Sequence, residues 1–305
     1  MAPRIPRGAG RRRRGSARDP PLEEMLALRV TVRALVTTAI AAAVLLLGGC
    51  AGGGAGSAPV VFAVTTSTQD TGLLDALIPA FEEDTGISAR SVAVGSGQAL
   101  AMARRGEVDV VLAHSPAAER RLMESGVAGR RRPVMHNRFV LVGPVRDPAG
   151  IRGMRLVPAL REIGERAAPF VSRGDDSGTH VFERSAWRRA GVEPAARWYQ
   201  ETGQGQSATL QVAAERGAYA ITDDATYLTA GVARALPVVV DEGKGLTNPY
   251  HVIELTDEAG GRVNAEGGRE LADWLVSSRA QRIIADYGRA EHGRSLFEPA
   301  RADVG

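Results

Sequence analysis

From Val60 onward the chain runs through one unit three times: a short apolar stretch, a polar loop, then apolar residues at helical spacing. Val60-Val61-Phe62-Ala63-Val64 leads into the polar cluster Thr65 to Thr71, and Leu73, Leu74, Leu77, Ile78 and Phe81 then share one helical face until Thr85-Gly86 stops it. Ile87 to Val94 passes through Gly95-Ser96-Gly97-Gln98 into a helix reaching Ala103, and Val108 to Ala113 precedes a helix from Ala117 to Ser125. Strand, loop and helix in that order predict an α/β fold with a parallel sheet and crossover helices. Arg138 to Pro144 is a further strand and a candidate crossing between two lobes. Later strands are predicted at Phe170-Val171, Ala218 to Thr222, Leu236 to Val240 and His251 to Leu255; later helices at Ser177 to Ala190, Ala208 to Arg216, Arg269 to Ser277 and Ala280 to Tyr287.

In such sheets ligands sit beyond the carboxyl ends of strands, where loops and helix N-termini meet. Three polar clusters occupy positions of that kind: Thr65-Thr66-Ser67-Thr68, Gly95-Ser96-Gly97-Gln98 and Ser172 to Thr179. All three offer hydroxyls and free amides, and only the last contains a cation, Arg173. In that last cluster Asp176 or Ser177 is a natural N-cap, and the helix amides, the Ser177 and Thr179 hydroxyls and the Arg173 guanidinium can converge as an anion cradle. The plainer alternative is a capped helix whose Arg173 pairs with Asp175. Hydroxyl-rich loops without lysine suit a small, fully deprotonated oxyanion. A nucleotide would call for a glycine-rich phosphate loop with lysine or a dinucleotide fingerprint, and the chain has neither.

The N-terminal region sets the compartment. Arg29 and Arg33 precede an uncharged run from Ala34 to Gly49, which ends in small residues and reads as a secretory signal over residues 1–49. Leu47-Gly48-Gly49-Cys50 resembles a bacterial lipobox, which makes Cys50 the expected lipidated N-terminus of the mature chain. Cys50 is the one cysteine in the sequence, so an intramolecular disulfide and a thiolate cluster are both excluded. The Arg-rich first 24 residues are either an overlong leader or precede the true start at Met25. Residues 50–59 form a Gly-rich tether.

Charge then narrows the partners. The whole chain is +3, but residues 1–49 hold nine arginines against three acidic residues, leaving 29 basic and 32 acidic residues after them. The mature chain is therefore mildly acidic, which gives no support to nucleic-acid binding. Its length of about 256 residues allows two compact lobes.

Val64-Thr65-Thr66-Ser67-Thr68-Gln69-Asp70-Thr71-Gly72-Leu73-Leu74 and Ser172-Arg173-Gly174-Asp175-Asp176-Ser177-Gly178-Thr179-His180 resemble the two signature motifs of TupA-type tungstate-binding proteins of ABC importers. Gly95 to Leu100, Val108 to Pro116, Pro133 to Phe139, Trp198-Tyr199, Gly203-Gln204-Gly205, Ala218 to Asp223, Asn248-Pro249-Tyr250 and Leu296 to Pro299 continue the likeness over nearly all of the chain from Val60. The resemblance implies a type II-like periplasmic-binding-protein fold, with two lobes, crossing segments and an anion in the cleft. Residues 60–137 and 245–305 would form lobe 1 and residues 138–244 lobe 2. It also implies tungstate or molybdate as ligand, no cofactor, and delivery to an ABC permease with its ATPase. The expected form is a monomer anchored outside the cytoplasm through Cys50. Val64 stands where the family carries a third threonine, and Gln206-Ser207-Ala208 departs from a more usual Met-containing run, a difference read as peripheral.

Position by position, the implied oxyanion-binding residues are Thr65, Thr66, Ser67, Ser96 and Gly97 from lobe 1, and Arg173, Ser177, Gly178 and Thr179 from lobe 2. Arg173 is the expected charge partner. Phosphate or sulfate in the same role is the alternative ligand, and a secreted hydrolase the alternative class. Phosphate keeps a proton near neutral pH and rewards a carboxylate acceptor, for which Asp175 or Asp176 is available. A hydrolase needs an activated nucleophile, and neither Ser67 nor Ser177 lies in a Gly-x-Ser-x-Gly elbow. His114 has no partner at metal-ligand spacing and reads as structural. Asp223-Asp224 reads as surface or capping residues, and whether Tyr219, Tyr227 or Tyr250 lines the cleft stays open.

Overall fold

The computed structural model describes residues 58–243 and 245–300; the predicted signal, Cys50 and residues 51–57 of the tether lie outside the described residues. The elements begin with β1 (Val60–Thr65), α1 (Thr66–Asp70), α2 (Leu73–Thr85), β2 (Ala89–Val94), α3 (Ser96–Arg104), β3 (Val110–Ala113) and α4 (Pro116–Glu124). The middle of the chain holds β4 (Ala128–Val142), α5 (Leu156–Glu165), β5 (Phe170–Ser172), α6 (Gly178–Ala190), β6 (Tyr199–Glu201), α7 (Gln206–Arg216), β7 (Ala220–Asp223), α8 (Asp224–Thr229) and β8 (Val238–Val240). β9 (Thr247–Leu255), α9 (Ala265–Leu275), α10 (Ser278–Asp286), α11 (Arg289–His292) and β10 (Glu298–Pro299) complete it. No helix among the described residues is long and apolar enough to cross a membrane.

The parallel sheet predicted from the three repeated units is only part of the architecture. β1 pairs in parallel with β2 and β3, as expected of crossover connections. β9 then joins β3 antiparallel, and β4 joins β9 antiparallel, so the full order β10-β4-β9-β3-β1-β2 is a mixed sheet. β4 also begins ten residues before the strand predicted at Arg138. Its first half, Ala128-Gly129-Arg130-Arg131-Arg132-Pro133, lacks apolar alternation because the arginines are held by acidic groups. Arg131 pairs with buried Glu119 at 2.7 Å, Arg132 with Asp273 at 2.5 Å, and Arg130 with Glu254.

β4 changes partners along its length, and this positions everything that follows. Up to Arg138, which faces Thr247, it pairs with β9; from Phe139 to Val142 it pairs antiparallel with β7, and near its end with β8. Each sheet has its own apolar filling. Phe62, Leu73, Leu77 and Phe81 pack with Leu271, Trp274 and Ile284 of the two late helices on one face of the first sheet, while Leu100, Leu122 and Ile253 fill the other face. Around the second sheet, Leu141, Leu160, Phe170, Trp187 and Tyr219 form one cluster and Val142, Leu210 and Leu236 another. Full burial of such side chains contributes about 1.5–3 kcal/mol each, enough for both bodies to hold their shape around the crossing strands.

Candidate oxyanion site

Four helices start where the two bodies face each other: α1 and α3 from the first sheet, α6 and α7 from the second. In α1 the Thr65 hydroxyl caps the helix, accepting from Thr68 N at 3.4 Å, and also lies 2.7 Å from Thr68 Oγ1 and 3.1 Å from Ser67 Oγ. Its hydroxyl is thus committed to local structure, while Thr66 at the first helical position is only partly buried. Ser67 is buried, with Oγ 3.2 Å from the Tyr250 hydroxyl. Ser96 opens α3 after Gly95, is buried, and accepts from His114 N at 3.4 Å.

The Ser172 to Thr179 segment holds the capped helix and the Arg173–Asp175 pair of the plainer reading. Ser177 is the N-cap of α6, its Oγ accepting from His180 N at 3.4 Å. Arg173, only 2% exposed, donates from Nε (3.1 Å) and Nη2 (2.5 Å) to Asp175 Oδ2. The same Nη2 lies 3.2 Å from Thr66 Oγ1, to which it donates across the cleft. Asp175 Oδ1 accepts from Ser177 N at 3.1 Å. Burial alone would raise the Asp175 carboxyl, but the Arg173 charge and the Ser177 donors outweigh it and hold it below the usual carboxylate range. Asp176 takes a left-handed backbone conformation, φ 54°. That uncommon conformation is held by its own N–H, which donates to His180 Nδ1 at 3.0 Å. Its side chain points outward to Arg184 at 3.1 Å.

Thr179 Oγ1 is buried and has no hydrogen-bond partner. A buried hydroxyl left unpaired is costly, and it stands in the first turn of α6 beside the cleft. Gln206, at the first position of α7, is fully buried with Oε1 likewise unpaired, while its Nε2 donates to Ile221 O at 3.1 Å. The two bodies meet closely here. A Cβ on Gly178 would lie 2.5 Å from the His114 ring, and one on Gly97 would lie 3.1 Å from Asp176 O. Ser207 Oγ donates to Asp70 Oδ2 at 3.1 Å, so the residue read as peripheral variation makes a direct contact between α7 and α1.

The remaining candidates fall into place. His114 is buried, stacked on Tyr250 with ring centroids 4.7 Å apart, and its Nδ1 lies 2.8 Å from Asn248 Oδ1. Burial pushes the ring down to about 4, so it is neutral at physiological pH. No cluster of three or more His, Cys, Asp or Glu side chains suited to a metal ion occurs among the described residues. Of the three tyrosines, Tyr250 reaches a predicted site residue; Tyr219 is buried in the second body and donates to Asp147 at 2.6 Å, and Tyr227 packs in its Val142 cluster. Asp223 is not a surface residue: it is fully buried, caps α8, and accepts from Asn137 Nδ2 at 2.7 Å. Burial pushes its carboxyl up, against the pull of the Thr226 and Asn137 donors. Asp224 pairs with Arg294. The hydroxyls of Ser67 and Ser177 contact Tyr250, Thr65 and the helix amide of His180, none of which activates a nucleophile.

Two bodies joined by crossing strands, with helix N-termini, hydroxyls and one buried guanidinium between them, define a substrate-binding protein. The PBP superfamily domain matches residues 52–279. The tungstate-binding protein TupA of Peptoclostridium acidaminophilum is 42% identical over 246 residues, covering 80% of this chain and 86% of that protein. Among solved structures, the tungstate-binding protein TupA from Desulfovibrio alaskensis G20 superposes with a TM-score of 0.67 at 40% identity, covering 80% of this chain and 99% of that one. The tungstate ABC transporter structure from Geobacter sulfurreducens gives 0.68 at 38% identity, covering 75% and 98%. The chain belongs to the TupA-type family of periplasmic-binding proteins, and the two-lobed α/β fold expected of that family is the one it adopts. It is a transport binding protein, not an enzyme, and the hydrolase alternative falls with that.

Proposed function

We propose that this protein captures tungstate, or molybdate, between its two lobes and delivers it to the permease of an ABC importer driven by its ATPase. Lobe 1 comprises residues 60–137 and 245–305, and lobe 2 residues 138–244. Thr66, Ser67, Ser96 and Gly97 supply hydroxyl and amide donors from lobe 1. Arg173, Ser177, Gly178 and Thr179 supply the charge and further donors from lobe 2, while Thr65 shapes the first turn that presents its neighbours. The protein works outside the cytoplasm as a monomer, tethered by an acyl chain on Cys50.

The observation that carries this reading is the buried Arg173 guanidinium, which is held by Asp175 and reaches Thr66 of the other lobe among otherwise neutral hydroxyl and amide donors. Asp175 already accepts from Arg173 and Ser177 N and Asp176 turns outward to Arg184, which favours an ion that only accepts hydrogen bonds over phosphate, which keeps a proton near neutral pH. Sulfate meets the same donor logic; the likeness to relatives named for tungstate separates the two. Native mass spectrometry of the soluble chain from Ala51 tests the proposal. One tungstate retained per chain is expected, and an unshifted mass at saturating tungstate would refute it.

A further inference from the structure

A chain of buried hydrogen bonds runs through the crossing strands and ends on a site hydroxyl. Asn137 of β4 and Asn248 of β9 are register partners, 4% and 0% exposed. Asn248 Nδ2 donates to Asn137 Oδ1 at 2.7 Å, and Asn137 Nδ2 donates to Asp223 Oδ1 at 2.7 Å. On the other side, Asn248 Oδ1 lies 2.8 Å from His114 Nδ1, and Asn248 Nδ2 also reaches the Tyr250 hydroxyl at 3.3 Å. That hydroxyl is 3.2 Å from Ser67 Oγ. Asp223 belongs to the second body, at the start of α8, and Ser67 to the first, in α1.

Donor and acceptor counting gives this chain a direction. Asp223 Oδ1 already accepts Thr226 N at 3.0 Å, and as a carboxylate, or with the acid proton on Oδ2 beside the Thr226 hydroxyl at 2.8 Å, it can only accept. Asn137 must turn its NH2 group toward it and its carbonyl toward Asn248. Asn248 must then turn its NH2 toward Asn137 and its carbonyl toward His114. The opposite orientation of either amide sets two like groups face to face in a dry interior, where nothing else can pair them. His114 is thereby required to donate from Nδ1. Tyr250 receives an N–H from Asn248 and passes its own proton to Ser67. Ser67 Oγ, already accepting, keeps its proton, which can turn from Thr65 Oγ1, 3.1 Å away, toward a ligand.

We propose that Asp223 is a positioning residue for oxyanion capture: through Asn137, Asn248 and Tyr250 it aligns the buried hydrogen bonds so that Ser67 meets the ion as a donor. This rests on the oxyanion reading above and extends it to a residue with no part in the ligand contacts. The alignment also joins the two lobes, because its fixed end lies in one and its working end in the other.

Two measurements test it on the soluble chain from Ala51. Without ligand, 15N NMR of the imidazoles reads the His114 tautomer; Nδ1–H is expected in the parent, with loss of that single state in Asp223→Leu, which removes the acceptor at similar size. Calorimetric titration with sodium tungstate should show Asp223→Leu weakened about tenfold or more, by the worth of one well-oriented hydrogen bond to a charged group. Adding Asn137→Asp to that variant should return affinity to within about threefold of the parent, because a carboxylate at position 137 again leaves Asn248 only its NH2 group to offer. A merely structural role would make the second substitution worse, not curative. Nε2–H at His114 in the parent, parental affinity in Asp223→Leu, or no recovery in the double variant overturns the proposal. A parent that binds no oxyanion overturns the functional reading instead, and the tautomer then decides the alignment alone.

Discussion

Arg173 and Thr66, 107 residues apart in sequence, are joined across the cleft by a hydrogen bond of 3.2 Å from Nη2 to Oγ1. The guanidinium that would neutralise an oxyanion is thereby fixed on both sides: Asp175 on its own lobe orients it, and a hydroxyl of the other lobe receives it. Nη1 makes no hydrogen bond among the described residues and stays available to a ligand.

Removing that guanidinium should cost more affinity than removing any single hydroxyl. A charge-assisted hydrogen bond is worth about 1.5–3 kcal/mol. Arg173→Ala should therefore weaken tungstate binding at least about tenfold by calorimetry. Arg173→Lys should recover part of it, lacking the planar fork that spans Asp175 and Thr66. Thr66→Ala and Thr179→Ala should each cost less. Parental affinity in Arg173→Ala, with loss on deleting a hydroxyl, would make the site a cage of amides and hydroxyls instead.

Gly178 lies tightly against a ring of the other lobe. A methyl there would lie 2.5 Å from the His114 ring, which is pinned by Asn248 and stacked on Tyr250 and so has no room to yield. Gly178→Ala should hold the cleft ajar. Small-angle scattering should show the parent compacting with tungstate and the variant not doing so, with affinity down at least about tenfold. Equal compaction of the two would contradict a cleft that shuts on its ligand.

The pH dependence of stability should reveal a buried acid. Glu183 accepts from Trp187 Nε1 at 3.1 Å and from the Tyr199 hydroxyl at 2.7 Å, and burial raises its carboxyl from 4.5 to about 7. The folded chain binds this proton more tightly than the unfolded one, so the contribution is complete below about 4.5 and is lost as pH rises through about 7. His114, lowered from 6.5 to about 4, acts in the opposite sense: its contribution is present above 6.5 and lost as pH falls through about 4. The two slopes offset each other between about 4.5 and 6.5. Glu183→Gln should remove the falling slope, so that its stability rises relative to the parent's by roughly 2–3 kcal/mol across that interval. Denaturant titrations at both ends of the interval measure this, and parallel profiles would show that Glu183 holds no proton.

Much of this was legible from residue pattern. The three strand–loop–helix units and the Ser177 cap announce themselves through apolar spacing and local side-chain chemistry, which need no distant partner. The Arg-rich half of β4 did not, because its strand state depends on Glu119, Glu254 and Asp273, which only the fold brings near. Asp223 caps α8, one of the two roles its sequence suggests, but its burial is not legible because its tie to Asn137 spans 86 residues. Ser207 looked peripheral for the same reason, its partner Asp70 lying 137 residues away. Local chemistry can be read along a chain, whereas pairing across a cleft has no sequence period to betray it.

Membrane attachment rests on Leu47-Gly48-Gly49-Cys50 alone. Cys50→Ser, expressed in a bacterium that acylates lipoproteins, should move the protein from the membrane pellet to the soluble fraction. Unchanged pelleting after detergent-free washing would contradict the anchor.

The most direct test of the central claim is calorimetric titration of the soluble chain with tungstate, molybdate, sulfate and phosphate in one buffer at neutral pH. A cleft of donors with its carboxylates already committed should take tungstate or molybdate at a single site. Sulfate should bind more weakly than tungstate, and phosphate at least about tenfold more weakly, since its proton must share an Asp175 oxygen that a protein donor already holds. Phosphate or sulfate binding as tightly as tungstate would contradict the account.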